Sequence, residues 1–157
     1  QSSAFILDGT SESVAPREAN AMLRDRAKGK FESWNPYLLK LLGEKGKDTP
    51  AVREQVLKAG GSVQGLDCLD AREKAVFRTA FEVPQLAIVQ QAAQRQAYID
   101  QAQSINLFID PKTDPRQVNQ VHLEAWRLGL NTLYYAHNSN EAKTFAQNLM
   151  SCAACEA

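Results

Sequence analysis

The sequence predicts an α/β fold, and three stretches carry that expectation. Ile105, Leu107 and Ile109 alternate with Asn106 and Phe108, the two-residue period of a strand. Asp114-Pro115 is a helix start, followed on one face by Val118, Val121, Ala125 and Leu128, with Gly129 near the end. Thr132-Leu133-Tyr134-Tyr135 then reads as a second strand. A strand, a helix of about fifteen residues and a strand make a βαβ unit, which implies parallel pairing. Both strands are mostly apolar, so both faces are expected to be covered. Two strands do not make a stable sheet alone, so this unit needs neighbours.

Upstream, the elements follow from their punctuation. Ala4-Phe5-Ile6-Leu7 is a short apolar run before the turn Asp8-Gly9-Thr10, and residues 16–31 are ambiguous between helix and strand. Asn35-Pro36 combines an N-cap with a first-turn proline; Leu38, Leu39, Leu41 and Leu42 form the apolar face and Gly43 is the expected stop. Thr49-Pro50 repeats the signal, with Val52, Val56 and Ala59 ahead of Gly60-Gly61. Asp70 and Glu73 have capping-box spacing, opening a helix expected to run through Val76, Phe77, Ala80 and Phe81. Pro84 either kinks that helix or starts another, which Leu86, Val89 and Ala93 continue towards Tyr98. Beyond His137 the pattern decays into Asn, Ser, Glu, Lys and Gln, so residues 138–157 read as a mobile tail.

Composition narrows the function classes. The chain has 157 residues, one domain's worth, with 18 Lys+Arg balancing 18 Asp+Glu. Zero net charge argues against an electrostatic nucleic-acid or membrane-surface binder. At 44% hydrophobic residues the chain is too apolar for a disordered protein, yet its apolar runs are too short to span a membrane. No charged-then-apolar signal segment opens the sequence, which starts Gln1-Ser2-Ser3 without Met. Three cysteines are a poor basis for a disulfide framework.

Several constellations invite chemistry. Cys152-Ala-Ala-Cys155 can be read as a zinc half-site, a redox dithiol or an accident of a tail. Zinc fares worst, because His122, His137 and Cys68 do not complete a ligand spacing. On the motif alone, the dithiol and the accident stand level. Cys68 reads as a partly buried free thiol. Adjacent Tyr134 and Tyr135 in a strand should point to opposite faces, one inward and one outward. The alternative, two phenols that relay an electron with a proton, requires the rings to stack and the strand to depart locally from its pleat. His122 reads as a core-edge histidine; His122-x-Glu124 lacks the Pro-Cys-x-x-Cys of zinc deaminases. Gly60-Gly61-Ser62-Val63-Gln64-Gly65 has no phosphate-loop lysine and reads as a turn, and the run from Arg24 to Lys30 reads as a solvated face.

Longer motifs now coincide with a family. The segment Gln96-Ala-Tyr98-Ile99-Asp100-Gln101-Ala-Gln103-Ser104-Ile105-Asn106 resembles "FIDQSQSLN" of class I ribonucleotide reductase large (α) subunits. Ala125-Trp126-Arg-Leu-Gly129-Leu-Asn-Thr132-Leu133-Tyr134-Tyr135 resembles that family's "AWxxGLKTxxYY". Glu12-Ser13-Val14-Ala15-Pro16 is similar to "ESIEP", and Lys28-Gly-Lys-Phe31 with Asn35-Pro36-Tyr37-Leu38-Leu39 to "SGEFxxxNPHLLKDL". Ala15 in place of Glu and Asn131 in place of Lys are departures.

The resemblance implies the C-terminal part of a ten-stranded α/β barrel over residues 1–137, followed by a redox-active tail over 138–157. It implies a piece of ribonucleoside-diphosphate reductase, an oxidoreductase, of a split or intein-interrupted large subunit such as phages encode. Tyr134 and Tyr135 would match the radical-transfer pair, and Cys152 and Cys155 the tail dithiol that re-reduces the active site. Gln1 and Ser2 would lie at the edge of the substrate-phosphate loop. No cofactor is implied in this chain; a di-metal oxidant is expected in a partner small (β) subunit, with thioredoxin or glutaredoxin as reductant. The remaining partners implied are the N-terminal part of the large subunit and a ribonucleoside diphosphate, with no nucleic acid or membrane, in a cytoplasmic setting (the host's, if phage-encoded). The alternative is a non-catalytic binding or regulatory module derived from the same barrel.

Overall fold

The computed structural model describes residues 14–26 and 29–138, with positions 23–26 and 29–31 described by backbone alone. The chain divides into two compact units at Glu82 and Val83.

In the first unit, the ambiguous stretch is an antiparallel hairpin of β1 (Ala21–Arg26) and β2 (Gly29–Trp34), with Ala21 opposite Trp34 and Arg26 opposite Gly29. Helix α1 (Pro36–Glu44) starts as expected: Asn35 accepts the Tyr37 N–H, and Pro36 needs no donor in the first turn. Its expected stop moves, however. Gly43 lies inside the helix, and Gly46 at φ +64° takes the left-handed position that lets the chain leave. Helix α2 (Pro50–Lys58) is capped by Thr49, and helix α3 (Ala71–Val76) by a complete Asp70–Glu73 capping box.

Helix α3 stops short of Phe81, and the reason is a competing set of bonds. The Phe77 carbonyl accepts from Asn20 Nδ2 at 2.7 Å, and the Ala80 N–H donates to the Arg17 carbonyl at 2.7 Å. The Thr79 N–H donates to Glu82 Oε2, and residues Ala80–Glu82 turn as a short 3₁₀ segment.

Leu38, Leu42, Val56, Val63, Leu66, Leu69 and Phe77 form the core of this unit, with Trp34 and Cys68 packed at its margin. Cys68 is a half-buried free thiol, as the sequence suggests. Asn20 staples the unit together. Its amide donates to the carbonyls of Gly61 and Phe77, and its Oδ1 accepts from the Asn35 amide at 3.0 Å. A buried amide is tolerable when its hydrogen-bonding groups find partners in this way.

The second unit holds helix α4 (Gln85–Gln96), strand β3 (Asn106–Ile109), helix α5 (Pro115–Arg127) and strand β4 (Tyr135–Asn138). Pro84 therefore starts a new helix, serving as the N-cap of α4. Tyr98 lies beyond the end of α4 and is exposed. Strands β3 and β4 pair in parallel, as the βαβ pattern requires, with Asn106 opposite Tyr135 and Phe108 opposite His137. Ile88, Val89 and Ala92 of α4, Leu107 and Phe108 of β3, and Val121 and Ala125 of α5 supply the buried apolar surface.

The second strand is displaced from its expected position. It begins at Tyr135 rather than Thr132 and takes in the polar His137 and Asn138, the start of the expected tail. Consequently β4 is not covered on both faces: Tyr135, Ala136 and Asn138 are exposed and His137 is half-buried. Among the described residues β4 pairs only with β3.

Gly61 tests the stapled corner. Its φ is +84°, and a Cβ there would lie 2.5 Å from Ala19 Cβ and 2.7 Å from the Ala21 carbonyl oxygen. Gly60, at φ +64°, faces open space. Gly60→Ala should cost only the left-handed backbone, about 1–2 kcal/mol. Gly61→Ala should add overpacking of about 1–3 kcal/mol. Urea denaturation of the full chain measures the difference; equal losses would contradict the close approach of hairpin and glycine.

Candidate functional site

The site is built where β4 starts. The N–H groups of both Tyr134 and Tyr135 approach one acceptor, the Ile105 carbonyl, at 3.0 and 3.3 Å. A regular ladder would not direct two consecutive amides to one carbonyl. This is the local departure that a meeting of adjacent side chains demands. The two rings lie edge to face, centroids 4.3 Å apart and planes at 68°. Neither is a core residue: Tyr134 is 59% exposed and Tyr135 58%. The expectation of one inward and one outward tyrosine is replaced by two outward ones in contact. The stacking that a radical relay was expected to need is not what the rings adopt: their contact is edge to face.

The phenols also communicate electrostatically. A hydrogen bond with the Tyr134 hydroxyl, followed by that group's charge and then by partial desolvation, raises the Tyr135 pKa above its ordinary 10.0. Two phenols whose rings touch in this way can pass a proton between their oxygens once these reach hydrogen-bond distance.

Around the pair, the parallel register gathers further rings. Residues two apart in a strand share a face, so Tyr135 and His137 lie together, across from Asn106 and Phe108. The His137 and Phe108 rings stack at 5.0 Å and 14°, and His137 lies 6.0 Å from the Tyr135 ring. The Asn106 Oδ1 is buried without a hydrogen-bond partner among the described residues. Sequence reasoning missed His137 and Phe108 as neighbours of the site. The signal was the Tyr135-x-His137 spacing, legible only once the strand is known to begin at Tyr135.

The remaining candidates separate from this cluster. His122 is not a core-edge residue: it is exposed on α5, its Nδ1 2.8 Å from the Val118 carbonyl. It borders a groove of about 500 Å³ beyond the ends of β3 and β4, lined also by Asp110, Asn119 and Asn138 but by neither tyrosine. Gln1, Ser2, Cys152 and Cys155 lie outside the described residues. Among the described residues, no group of three or more His, Cys, Asp or Glu is placed to hold a metal ion, and no helix is long and apolar enough to cross a membrane.

The pairing of the phenols can be read from titration. Tyr134→Phe removes the hydrogen bond and the charge that lead the shift, so the Tyr135 pKa should fall towards 10.0. Tyrosine labelled with ¹³C at Cζ reports each ionisation by NMR. A Tyr135 pKa unchanged by the substitution would contradict the contact.

Comparison with known proteins places this geometry in a family. The family described as "Ribonucleotide reductase, barrel domain" matches residues 1–136. The ribonucleoside-diphosphate reductase large subunit of Invertebrate iridescent virus 6 is 43% identical over 144 residues, covering 89% of this chain and 15% of the viral one. The putative large subunit of Frog virus 3 is 37% identical, covering 96% of this chain and 28% of its own. Among solved structures, the Actinobacillus ureae class Id ribonucleotide reductase alpha subunit superposes with a TM-score of 0.76 at 46% identity, covering 88% of this chain and 25% of that one. The chain thus spans between about a seventh and just over a quarter of these relatives' lengths. The α/β fold expected from the strand–helix–strand pattern is the fold of these relatives, and the chain belongs to the barrel-domain family of ribonucleotide reductase large subunits.

Proposed function

We propose that this chain contributes the radical-transfer tyrosine pair and the tail dithiol to a class I ribonucleoside-diphosphate reductase, and that it works together with the remainder of a large subunit. The observation that carries this reading is the contact of Tyr134 and Tyr135 at 4.3 Å, in a chain whose relatives are reductase large subunits.

The geometry suits a stepwise hop. When one phenol is an oxidised phenoxyl radical, the other can return one electron to it. The proton of the donor phenol moves to the other oxygen at the same time, so the radical changes residue without leaving a charge behind. Exposure of both rings suits a pair that must meet an oxidant arriving from a small subunit on one side and a reactive cysteine on the other. The di-metal oxidant belongs to that small subunit in this reading, and no step is assigned to a metal on this chain.

Each reduction of a ribonucleoside diphosphate takes two electrons and leaves an active-site disulfide. Cys152 and Cys155 would restore it by exchange: one thiolate attacks the disulfide, and the other resolves the mixed disulfide, leaving the tail pair oxidised for thioredoxin or glutaredoxin to reduce. Cys152 lies seventeen positions beyond Tyr135. Extended chain of that length reaches roughly 55–60 Å, ample to travel between an interior disulfide and an external reductant. In this reading the work is done in the cytoplasm, where such reductants act. Gln1 and Ser2, at the edge of the phosphate loop by resemblance, would lie beside the substrate diphosphate.

The test is turnover of ribonucleoside diphosphates by the chain assembled with the remainder of a large subunit and a small subunit. Tyr134→Phe and Tyr135→Phe should each abolish turnover while leaving assembly intact, because a phenyl ring has no phenolic proton to give up. Cys152→Ser should allow a single turnover but stop repeated turnover with thioredoxin. Full activity in either Phe variant would overturn the radical-transfer reading and favour a binding module instead.

A further inference from the structure

We propose that His137 is a positioning residue for the tyrosine pair: braced flat against Phe108, its ring forms the wall that holds Tyr135 edge-on to Tyr134. The consequence for turnover rests on the radical-transfer reading above, whereas the geometric content stands without it.

The tyrosines cannot be held by burial, since both are more than half exposed. Backbone bonds to Ile105 fix where each Cα lies, but they leave the side-chain torsions free. Another contact must select the rotamer in which the rings meet. His137 is placed to do so, on the same face of β4 and 6.0 Å from the Tyr135 ring at 60°. His137 is itself anchored: its ring stacks on Phe108 at 5.0 Å and 14°, directly across the ladder. Phe108 is the rigid end of this row. Its side chain is buried, and its backbone N–H donates to Gln85 Oε1 at 2.7 Å, tying the strand to the start of α4. Order passes outward from a buried ring to a half-buried one and then to two exposed ones.

Such a role depends on shape rather than on the imidazole nitrogens. His137→Phe should therefore keep the wall, whereas His137→Ala and His137→Gln should lose it, Gln retaining polarity without a ring. In the assembled reductase, loss of the wall should lower kcat by roughly 10–100-fold, the scale on which misplacement of a reacting group is felt, with KM for the diphosphate unchanged. His137→Phe should restore most of the rate. A second readout needs no activity: ¹³Cζ-tyrosine NMR of the full chain. If His137→Ala frees Tyr135 from Tyr134, the Tyr135 pKa should fall as it does in Tyr134→Phe, and His137→Phe should preserve it.

Unchanged Tyr135 titration in His137→Ala, or rescue by Gln but not by Phe, would overturn the proposal. Should Tyr135→Phe retain full turnover, the radical-transfer reading fails by itself. The titration arm then still decides whether His137 positions the pair.

Discussion

One backbone acceptor decides the geometry of the site. The Ile105 carbonyl takes both the Tyr134 and the Tyr135 N–H, and the parallel ladder begins with the second of them. Without that shared acceptor, two neighbouring residues in extended backbone would project to opposite faces. With it, Tyr134 stays outside the strand while Tyr135 enters it, and the two rings meet. A carbonyl has two lone pairs and can accept both donors, so the departure from the pleat leaves neither amide unpaired.

The rest of the second unit keeps this acceptor where it is. Ile105 and Leu107 are buried at the start of β3, and Gln85 at the head of α4 holds the Phe108 amide. Further along, Gln103 donates to the Ala92 carbonyl at 2.8 Å, tying the approach to β3 onto α4. The strand that carries the rings is the outer and more exposed one, and the strand that supports them is the inner and buried one. This division suits chemistry in which the rings must face other protein surfaces while their mutual distance stays fixed. A proton moving between two phenols needs hydrogen-bond distance, so a gap opened by rotation of one ring would interrupt the path even if the electron could still cross it.

Local signals recovered the helices well, because their chemistry is local. Asn35-Pro36, Thr49-Pro50, Asp70 with Glu73 and Asp114-Pro115 all cap helices where the sequence places them. The strands were less legible. Thr132–Tyr135 looks like an apolar strand, but the ladder starts at Tyr135 because pairing with β3, far away in sequence, sets the register. The hairpin over 21–34 was ambiguous for a similar reason. Asn20, which closes it against Gly61 and Phe77, acts across separations of 41 and 57 residues that no periodicity reveals. At the site, the tyrosine pair was legible through resemblance and through the chemistry of adjacent phenols. Its edge-on geometry was not, nor was the row of rings behind it, since both follow from the shifted register. The Cys152 and Cys155 pair lies outside the described residues, so its assignment rests on the motif and the resemblance alone.

Radical transfer through this chain requires that a radical reside on this pair. The most direct measurement replaces Tyr135, and separately Tyr134, by 3-aminotyrosine, which is easier to oxidise and so holds the radical. Electron paramagnetic resonance then follows the assembled reductase after mixing with substrate. With radical transfer through the pair, an aminotyrosyl signal grows at either position as the oxidant of the small subunit is consumed. An assembled complex that consumes its oxidant and reduces substrate with no aminotyrosyl signal at either position would contradict it.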